Sequence, residues 1–274
     1  YHNGNTAIRP EYENGQSLRL GGAEAPTGYV QPGGRGLAYF SDISTQLAPT
    51  SLDGAVQQFP PLSLYPSETY FATHSSELEF GSYCYNHIYI GRENQLWKST
   101  DGGRSFELLA ELGQPGQPVL QFEICRDNPQ VMYVYQRTSF FGAVLWKTTD
   151  GGANWSQLDF PQGVSSMRAG GLAVNPENEQ EIWAYFSHQA NDGSKVFRSL
   201  DGGQSWENRT TADLDGHRIH AMLYQAGTDG VVYIGTDKAV FYRTKEQSWQ
   251  LYNQGLPMRT NANLFRPFYK ESKL

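Results

Sequence analysis

The sequence predicts an all-β protein made of repeated four-stranded blades, the unit of a β-propeller, and three observations carry this prediction. One short phrase occurs three times, as Ser99–Phe106, Thr148–Trp155 and Ser199–Trp206. Its aspartates lie 49 and 51 residues apart, a period typical of propeller blades in an all-β context. The 29 glycines, 17 tyrosines and 6 tryptophans suit strands joined by tight turns. No segment of the 274 residues has convincing helical periodicity.

Each repeat is expected to end in a hairpin whose tip stabilises itself. Strand-like runs flank an Asp-Gly-Gly tip, and this pattern is a hairpin signal. The aspartate can accept hydrogen bonds from its own turn, and the glycines allow a positive φ. The aromatic residue after the turn is expected to enter the core as an anchor. The residues assigned to these structural turns are Ser99, Asp101, Gly103, Phe106, Thr148, Asp150, Gly152, Trp155, Ser199, Asp201, Gly203 and Trp206.

A fourth repeat has lost this tip. The stretch Val240–Thr244 aligns with Val196–Ser199, but the tip that follows is Lys245-Glu246-Gln247, without the aspartate or the glycines. Trp249 restores the aromatic position, so we expect packing to persist there without the turn chemistry.

The predicted organisation is one propeller domain or a fragment of one, with about five to seven blades. Residues 67–256 hold the four repeat blades, and residues 257–274 are expected to start a further blade. Residues 1–66 are divergent: they form either a divergent blade or a partial blade with a long loop through residues 44–63.

Composition argues against several classes of partner and cofactor. The net charge is −7 with scattered lysines and arginines, which argues against a nucleic-acid surface. No apolar run approaches the ~18 residues that membrane insertion needs. The histidines lack metal-ligand spacing, and Cys84 and Cys125 are too few for a four-cysteine site, so neither metal nor cofactor is predicted. The two cysteines could form a disulfide in a secreted chain or remain buried thiols.

The repeated phrase resembles the Asp-box, S/T-x-D-x-G-x-S/T-W/F, although Asn154 stands where the pattern has Ser or Thr. It is similar to the repeats (BNR repeats) of sialidase-like, sortilin-like and xyloglucanase-like propellers. In those families the box is a fold element away from the active site. The resemblance therefore implies that Asp101, Asp150 and Asp201 are structural.

A second resemblance covers roughly residues 80–274. The stretches His220–Gln225, Tyr233–Thr236 and Trp249–Pro257 look like the propeller module of very large secreted surface proteins of Bacteroidetes. This resemblance implies an extracellular or cell-surface location, often with type 9 secretion, and a larger parent polypeptide. It implies no known reaction.

Catalysis would require acidic residues that the sequence does not pair. A sialidase needs an arginine triad and a Tyr–Glu pair, and Ile8-Arg9-Pro10 and Phe265-Arg266-Pro267 both fail to match the family's early motif. Another glycosidase would need two carboxylates across a cleft. Loop acids are available for this but are more simply solvated side chains; they are Asp42, Asp53, Glu79, Asp213 and Asp215. His217 and His220, three apart, would face opposite sides of a strand unless a bulge intervened.

The face opposite the repeated turns is the predicted binding face. Phe140 and Phe141 occupy a hairpin tip there, and Asn191 and Asp192 occupy the equivalent tip one blade on. Adjacent exposed aromatics are unusual unless they meet an apolar partner. We expect these four residues to contact a glycan or a protein. The alternative is that the two rings pack on a neighbouring blade or domain.

Three functional hypotheses follow. The first is a non-catalytic binding module of a secreted or cell-surface protein that contacts a glycan or protein ligand. The second is an extracellular glycoside hydrolase, sialidase-like or xyloglucanase-like, or its carbohydrate-binding propeller. The third is an assembly factor or receptor that uses the same face for protein ligands.

Overall fold

A computed structural model describes residues 5–21, 28–32, 36–40, 44–59, 75–139, 142–162, 164, 170–187, 193–252 and 254–265. The chain divides into two compact units, Tyr1–Val119 and Leu120–Leu274. Almost every regular element is a β-strand, as predicted. The domain bounds at residues 66 and 256 stay a prediction.

In the part of the first unit that the structure describes, there are a two-stranded sheet and two four-stranded antiparallel sheets. The small sheet pairs β1 (Asn5–Ala7) with β2 (Leu18–Gly21). Sheet 1 comprises β3 (Gly28–Val30), β4 (Leu37–Phe40), β5 (Ser44–Leu47) and β6 (Gln57–Gln58). Sheet 2 comprises β7 (Ser75–Phe80), β8 (Ile88–Arg92), β9 (Gln95–Ser99) and β10 (Glu107–Glu111). Strands β5 and β6 pair, so residues 44–47 and 57–58 of the divergent segment belong to a four-stranded sheet.

The second unit holds three four-stranded antiparallel sheets whose strands follow chain order. Sheet 3 comprises β11 (Val119–Ile124), β12 (Met132–Arg137), β13 (Ala143–Thr148) and β14 (Ser156–Leu158). Sheet 4 comprises β15 (Gly170–Asn175), β16 (Asn178–Phe186), β17 (Val196–Ser199) and β18 (Glu207–Asn208). Sheet 5 comprises β19 (Ile219–Tyr224), β20 (Val232–Thr236), β21 (Val240–Arg243) and β22 (Gln250–Tyr252), and a 3₁₀ turn over Ala212–Leu214 precedes it.

The core of the second unit lies between consecutive sheets, and β16 contributes to it on both faces. Ile182, Ala184 and Phe186 join a cluster with sheet 3. The alternating Trp183 and Tyr185 join a second cluster with sheet 5. Because side chains alternate across a strand, a central strand that is covered on both faces has a continuous run of buried residues. Sheets therefore stack face to face, as blades do.

The three repeated turns have the same internal hydrogen bonds. In the first, the Ser99 hydroxyl donates to Asp101 at 2.8 Å and accepts from the Gly103 amide at 2.9 Å. The Ser105 amide and hydroxyl donate to the two oxygens of the Asp101 carboxylate at 2.9 and 2.7 Å.

The second turn shows why its departure from the pattern is tolerated. The Asn154 amide side chain donates to Asp150 at 2.8 Å, in the place of a hydroxyl. The six glycines of the three tips have φ between 71° and 98°. An L-residue would be strained there, so the Gly-Gly pair is a backbone requirement.

The aromatic anchors are less buried than expected. Phe106, Trp155 and Trp206 are half-buried. In sheet 5, which has lost the tip, Trp249 is only 3% exposed. Its indole N–H donates to the Arg209 carbonyl at 2.8 Å. The anchor is therefore buried most deeply where the turn chemistry is missing.

A buried polar network joins sheets 4 and 5. Glu181 is 5% exposed and accepts hydrogen bonds from Arg198 Nε at 2.7 Å and Asn175 Nδ2 at 2.9 Å. The same amide of Asn175 donates to the Tyr224 hydroxyl at 3.0 Å. Because buried charges are costly unless they are paired and hydrogen-bonded, this network constrains how the two sheets pack.

Both cysteines are free: Cys84 is exposed and Cys125 is buried. Burial raises the pKa of the Cys125 thiol to about 12. Among the described residues, no helix is long and apolar enough to cross a membrane.

Candidate functional site

The ends of the sheets divide the loops of the second unit into two sets. In antiparallel sheets of sequential strands, the first-to-second and third-to-fourth connections lie at one end. The repeated turns are third-to-fourth connections, so we call this end of the sheets the turn end. The second-to-third connections and the connections between sheets lie at the other end, the loop end.

The four predicted contact residues belong to connections at the loop end. Phe140 and Phe141 lie between β12 and β13, where the Thr138 amide donates to the Gly142 carbonyl at 2.9 Å. Asn191 and Asp192 lie between β16 and β17. All four fall outside the described residues, so their role in binding stays a prediction.

A groove at the loop end of sheet 5 was not predicted as a unit. It is open, with a volume of about 780 Å³. The segment before β19, the connection between β20 and β21, the strands β21 and β22 and the segment after β22 all contribute to the groove. The lining residues of the groove are Asp213, His217, Lys238, Ala239, Phe241, Trp249, Gln250, Leu251, Met258 and Arg259. Because they are distant in the sequence, no local pattern could have found them together.

The loop on one side of the groove is held in place by two lysines. Lys195 is fully buried, and its Nζ donates to the carbonyls of Leu214 at 2.5 Å and His217 at 3.0 Å. Lys238 Nζ donates to the Gly216 carbonyl at 2.5 Å. The groove wall is therefore organised before any ligand arrives, which lowers the entropy cost of binding.

His217 lines the groove. Its Nδ1 lies 3.1 Å from the Thr236 hydroxyl, and the ring meets Phe241 edge-on with centroids 4.9 Å apart. Burial, followed by the charges of Lys238 and Lys195, lowers the pKa of His217, against an opposing effect of Asp237. The imidazole is therefore neutral at neutral pH.

Exposed apolar side chains and cations share the groove. Leu251 is 52% exposed and Met258 fully exposed, whereas Phe241 and Trp249 are 5% and 3% exposed. Lys238 and Arg259 supply positive charge, and Asp213 supplies one carboxylate. The groove can thus offer hydrogen-bond donors beside flexible apolar surface, but little aromatic ring area.

Two of the loop acids considered for catalysis lie at the 3₁₀ turn before sheet 5. Asp213, in the 3₁₀ turn, lines the groove and accepts a hydrogen bond from Thr211 at 2.9 Å. Asp215 is exposed just after this turn. In the first unit Asp53 is exposed and Glu79 lies on β7, while Asp42 falls outside the described residues.

His217 and His220 have different surroundings. His217 precedes β19, and His220 lies on β19 at a register irregularity between Ile219 and Ala221. Among the residues that the structure describes, no group of three His, Cys, Asp or Glu side chains could hold a metal ion.

No protein-family model matches the chain, and no curated protein matches it. Solved structures do resemble it. An ancestral GH74 enzyme has a TM-score of 0.62 at 15% identity, over 86% of this chain and 32% of that one. The GH74 xyloglucanase from Xanthomonas campestris has a TM-score of 0.58 at 16% identity, over 84% of this chain and 37% of that one.

A catalytically inactive virginiamycin B lyase from Staphylococcus aureus is also similar, with a TM-score of 0.53 at 12% identity over 84% of this chain and 70% of that one. The chain thus spans about a third of the length of the GH74 proteins it matches. Likeness at such low identity concerns the fold alone. Together with the five four-stranded antiparallel sheets among the described residues, it gives this chain the β-propeller fold.

Proposed function

We propose that this chain is a non-catalytic binding module of a secreted or cell-surface protein, and that its ligand contacts the loop end of the sheets. The observation that carries the proposal is the open groove of about 780 Å³ at the loop end of sheet 5. Its volume is in the range of ordinary ligand sites, about 300–1,000 Å³. Lys195 and Lys238 hold one wall of the groove in place.

The chemistry of the turn end supports the same choice of face. The carboxylates of Asp150 and Asp201 accept hydrogen bonds within their own turns. Because these carboxylate oxygens already accept hydrogen bonds within the turn, they are less available to a ligand. At the loop end, by contrast, Met258 and Arg259 are exposed.

The proposal includes membership of the Asp-box propellers, secretion and a larger parent protein. The hydrogen-bond pattern that the three turns share supports the first of these. The resemblance of residues 80–274 to modules of large secreted Bacteroidetes proteins supports the other two, including type 9 secretion. Further segments of such a parent would be natural partners of this chain.

The test is binding of the purified chain to a glycan array and to a peptide array, followed by paired variants. Replacing Leu251 and Met258 together by Asp places charge in the groove and should weaken binding at least about tenfold. The matched control is Leu200→Asp, because Leu200 is 56% exposed at the turn end of sheet 4. The control should bind like the wild type. Absence of any ligand on both arrays, or equal losses in both variants, would refute the proposal.

A glycoside hydrolase is the second candidate, because two of the similar structures are GH74 enzymes, one of them a xyloglucanase. Their low identity transfers no catalytic residue. The measurement is release of reducing ends from xyloglucan. We expect the wild-type chain to release no reducing ends. If it did, and if Asp213→Asn abolished the release, glycoside hydrolysis would be favoured over the non-catalytic binding module.

A further inference from the structure

We infer that the groove of sheet 5 binds a short acidic and apolar peptide segment, with a ligand carboxylate at Lys238 and Arg259 and an apolar ligand side chain on Leu251 and Met258. This inference rests on the proposed binding role of the loop end. It adds the chemical class of the ligand.

Charge is the first argument. Of the titratable groups that line the groove, two are cations, one is the neutral imidazole of His217, and one is the carboxylate of Asp213. Within the described part of the chain, Arg259 is exposed and has no ion-pair partner. Its guanidinium can therefore meet a carboxylate through two parallel hydrogen bonds.

Lys238 supplies a second, better fixed donor. Its Nζ already donates one hydrogen bond to the Gly216 carbonyl. An ammonium group has three N–H donors, so two remain for a ligand. The bond to Gly216 also restricts the side chain, so that less rotamer entropy is lost when a carboxylate binds.

The apolar surface favours a peptide over a sugar. Sugar binding commonly uses an exposed aromatic face, but the rings of Phe241 and Trp249 are almost fully buried. The exposed apolar groups are Leu251 and Met258, both flexible and aliphatic. A thioether side chain adapts to irregular apolar partners, as at promiscuous peptide-binding surfaces. An aliphatic or aromatic side chain beside an acidic residue fits these groups.

The experiment uses the full chain and three fluorescently labelled hexapeptides with blocked termini. In the first peptide Glu alternates with Leu, in the second Gln alternates with Leu, and in the third Lys alternates with Leu. Binding is measured by fluorescence anisotropy. We expect the Glu–Leu peptide to bind at least about tenfold more tightly than the Gln–Leu peptide. Raising the salt concentration should weaken this preference, since salt screens exposed charges.

Two variants locate the site. Arg259→Gln should weaken the Glu–Leu peptide about tenfold, and Arg259→Glu should shift the preference towards the Lys–Leu peptide. Arg259 is exposed, so neither change is expected to disturb folding. The control is Lys245→Gln, because Lys245 is an exposed cation at the turn end of the same sheet.

Each contrary outcome has a distinct meaning. Equal binding of the Glu–Leu and Gln–Leu peptides overturns the carboxylate site, and unchanged binding in both Arg259 variants overturns its location. Displacement of the peptide by oligogalacturonate at lower concentration than by unlabelled peptide would assign the groove to acidic glycans instead. If no peptide binds while the arrays still give a ligand sensitive to Leu251 and Met258, this inference fails and the proposed function stands.

Discussion

The guanidinium carbon of Arg243 lies 5.1 Å from the ring centre of Trp183 and 5.6 Å from that of Trp249. Arg243 of β21 pairs with Val232 of β20. Ser199, the first residue of the third repeated turn, pairs in the same way with Ile182 of β16. Arg243 therefore occupies the position that Ser199 has in sheet 4. The two indoles meet edge-on with centroids 6.3 Å apart. In sheet 5, a cation packed against two rings thus stands where the repeated turns have a hydroxyl residue.

Replacing Arg243 by Ala should therefore destabilise the protein by about 1–2 kcal/mol, because a desolvated cation–π contact and buried methylene packing are both lost. The measurement is the free energy of unfolding in urea. Lys245→Ala is the control, since the ion pair of Lys245 with Asp229 is exposed and should contribute less than about 1 kcal/mol. Equal effects of the two changes would contradict this role of Arg243.

Glu181→Ala should be far more damaging, by about 3–5 kcal/mol, because it removes a buried carboxylate and leaves the partly buried Arg198 without its ion-pair partner. Replacing Glu181 and Arg198 together by Leu should cost less than the single change. Urea midpoints of the two variants give the comparison. A double variant less stable than Glu181→Ala would show that the charged pair itself is stabilising.

Acid should weaken the repeated turns. Hydrogen bonds from the Asn154 amide lower the pKa of Asp150 to about 2, and those from Ser205 lower the pKa of Asp201 to about 2. A carboxylate whose pKa is lower in the folded state stabilises the fold above its unfolded pKa, about 3.9. That contribution is lost as the pH falls from about 4 through about 2.

The check is the urea midpoint at several pH values across this window. The variant with both Asp150 and Asp201 replaced by Ala should be less stable at neutral pH and lose less stability on acidification. Asp159→Ala, at an exposed position, should keep the wild-type pH dependence. If the double variant kept the wild-type pH dependence of stability, the two turn carboxylates would not be the cause of that dependence.

Gly203→Ala tests the close approach at a turn tip. A Cβ there would lie 2.6 Å from Leu158 Cδ1, and the residue has a φ of 92°. The sum of strain and overpacking should cost roughly 2–4 kcal/mol. Gly227→Ala, with a φ of 72° and nothing within 4 Å of the added atom, should show only the strain, about 1 kcal/mol. Thermal or urea unfolding of the two variants separates the two effects.

Local chemistry explains which features could be predicted. The turn at Ser99–Phe106 involves only contacts within eight neighbouring residues, so its residue types specify its shape. A contact between strands could not be predicted in this way: Lys147 Nζ lies 5.3 Å from the ring centre of Tyr133, on a neighbouring strand.

The sequence by itself determined the repeated blades, the self-contained turns and the loss of one turn at Lys245-Glu246-Gln247, because these depend on contacts between near neighbours. Only the tertiary structure decided the groove. Lys195, His217, Lys238 and Arg259 are spread over 65 residues and come together through antiparallel pairing and sheet stacking. The buried depth of Trp249 was decided in the same way, because it depends on Trp183 of sheet 4 and on Arg243 of β21. Burial and charge balance are properties of that arrangement, and no local pattern encodes them.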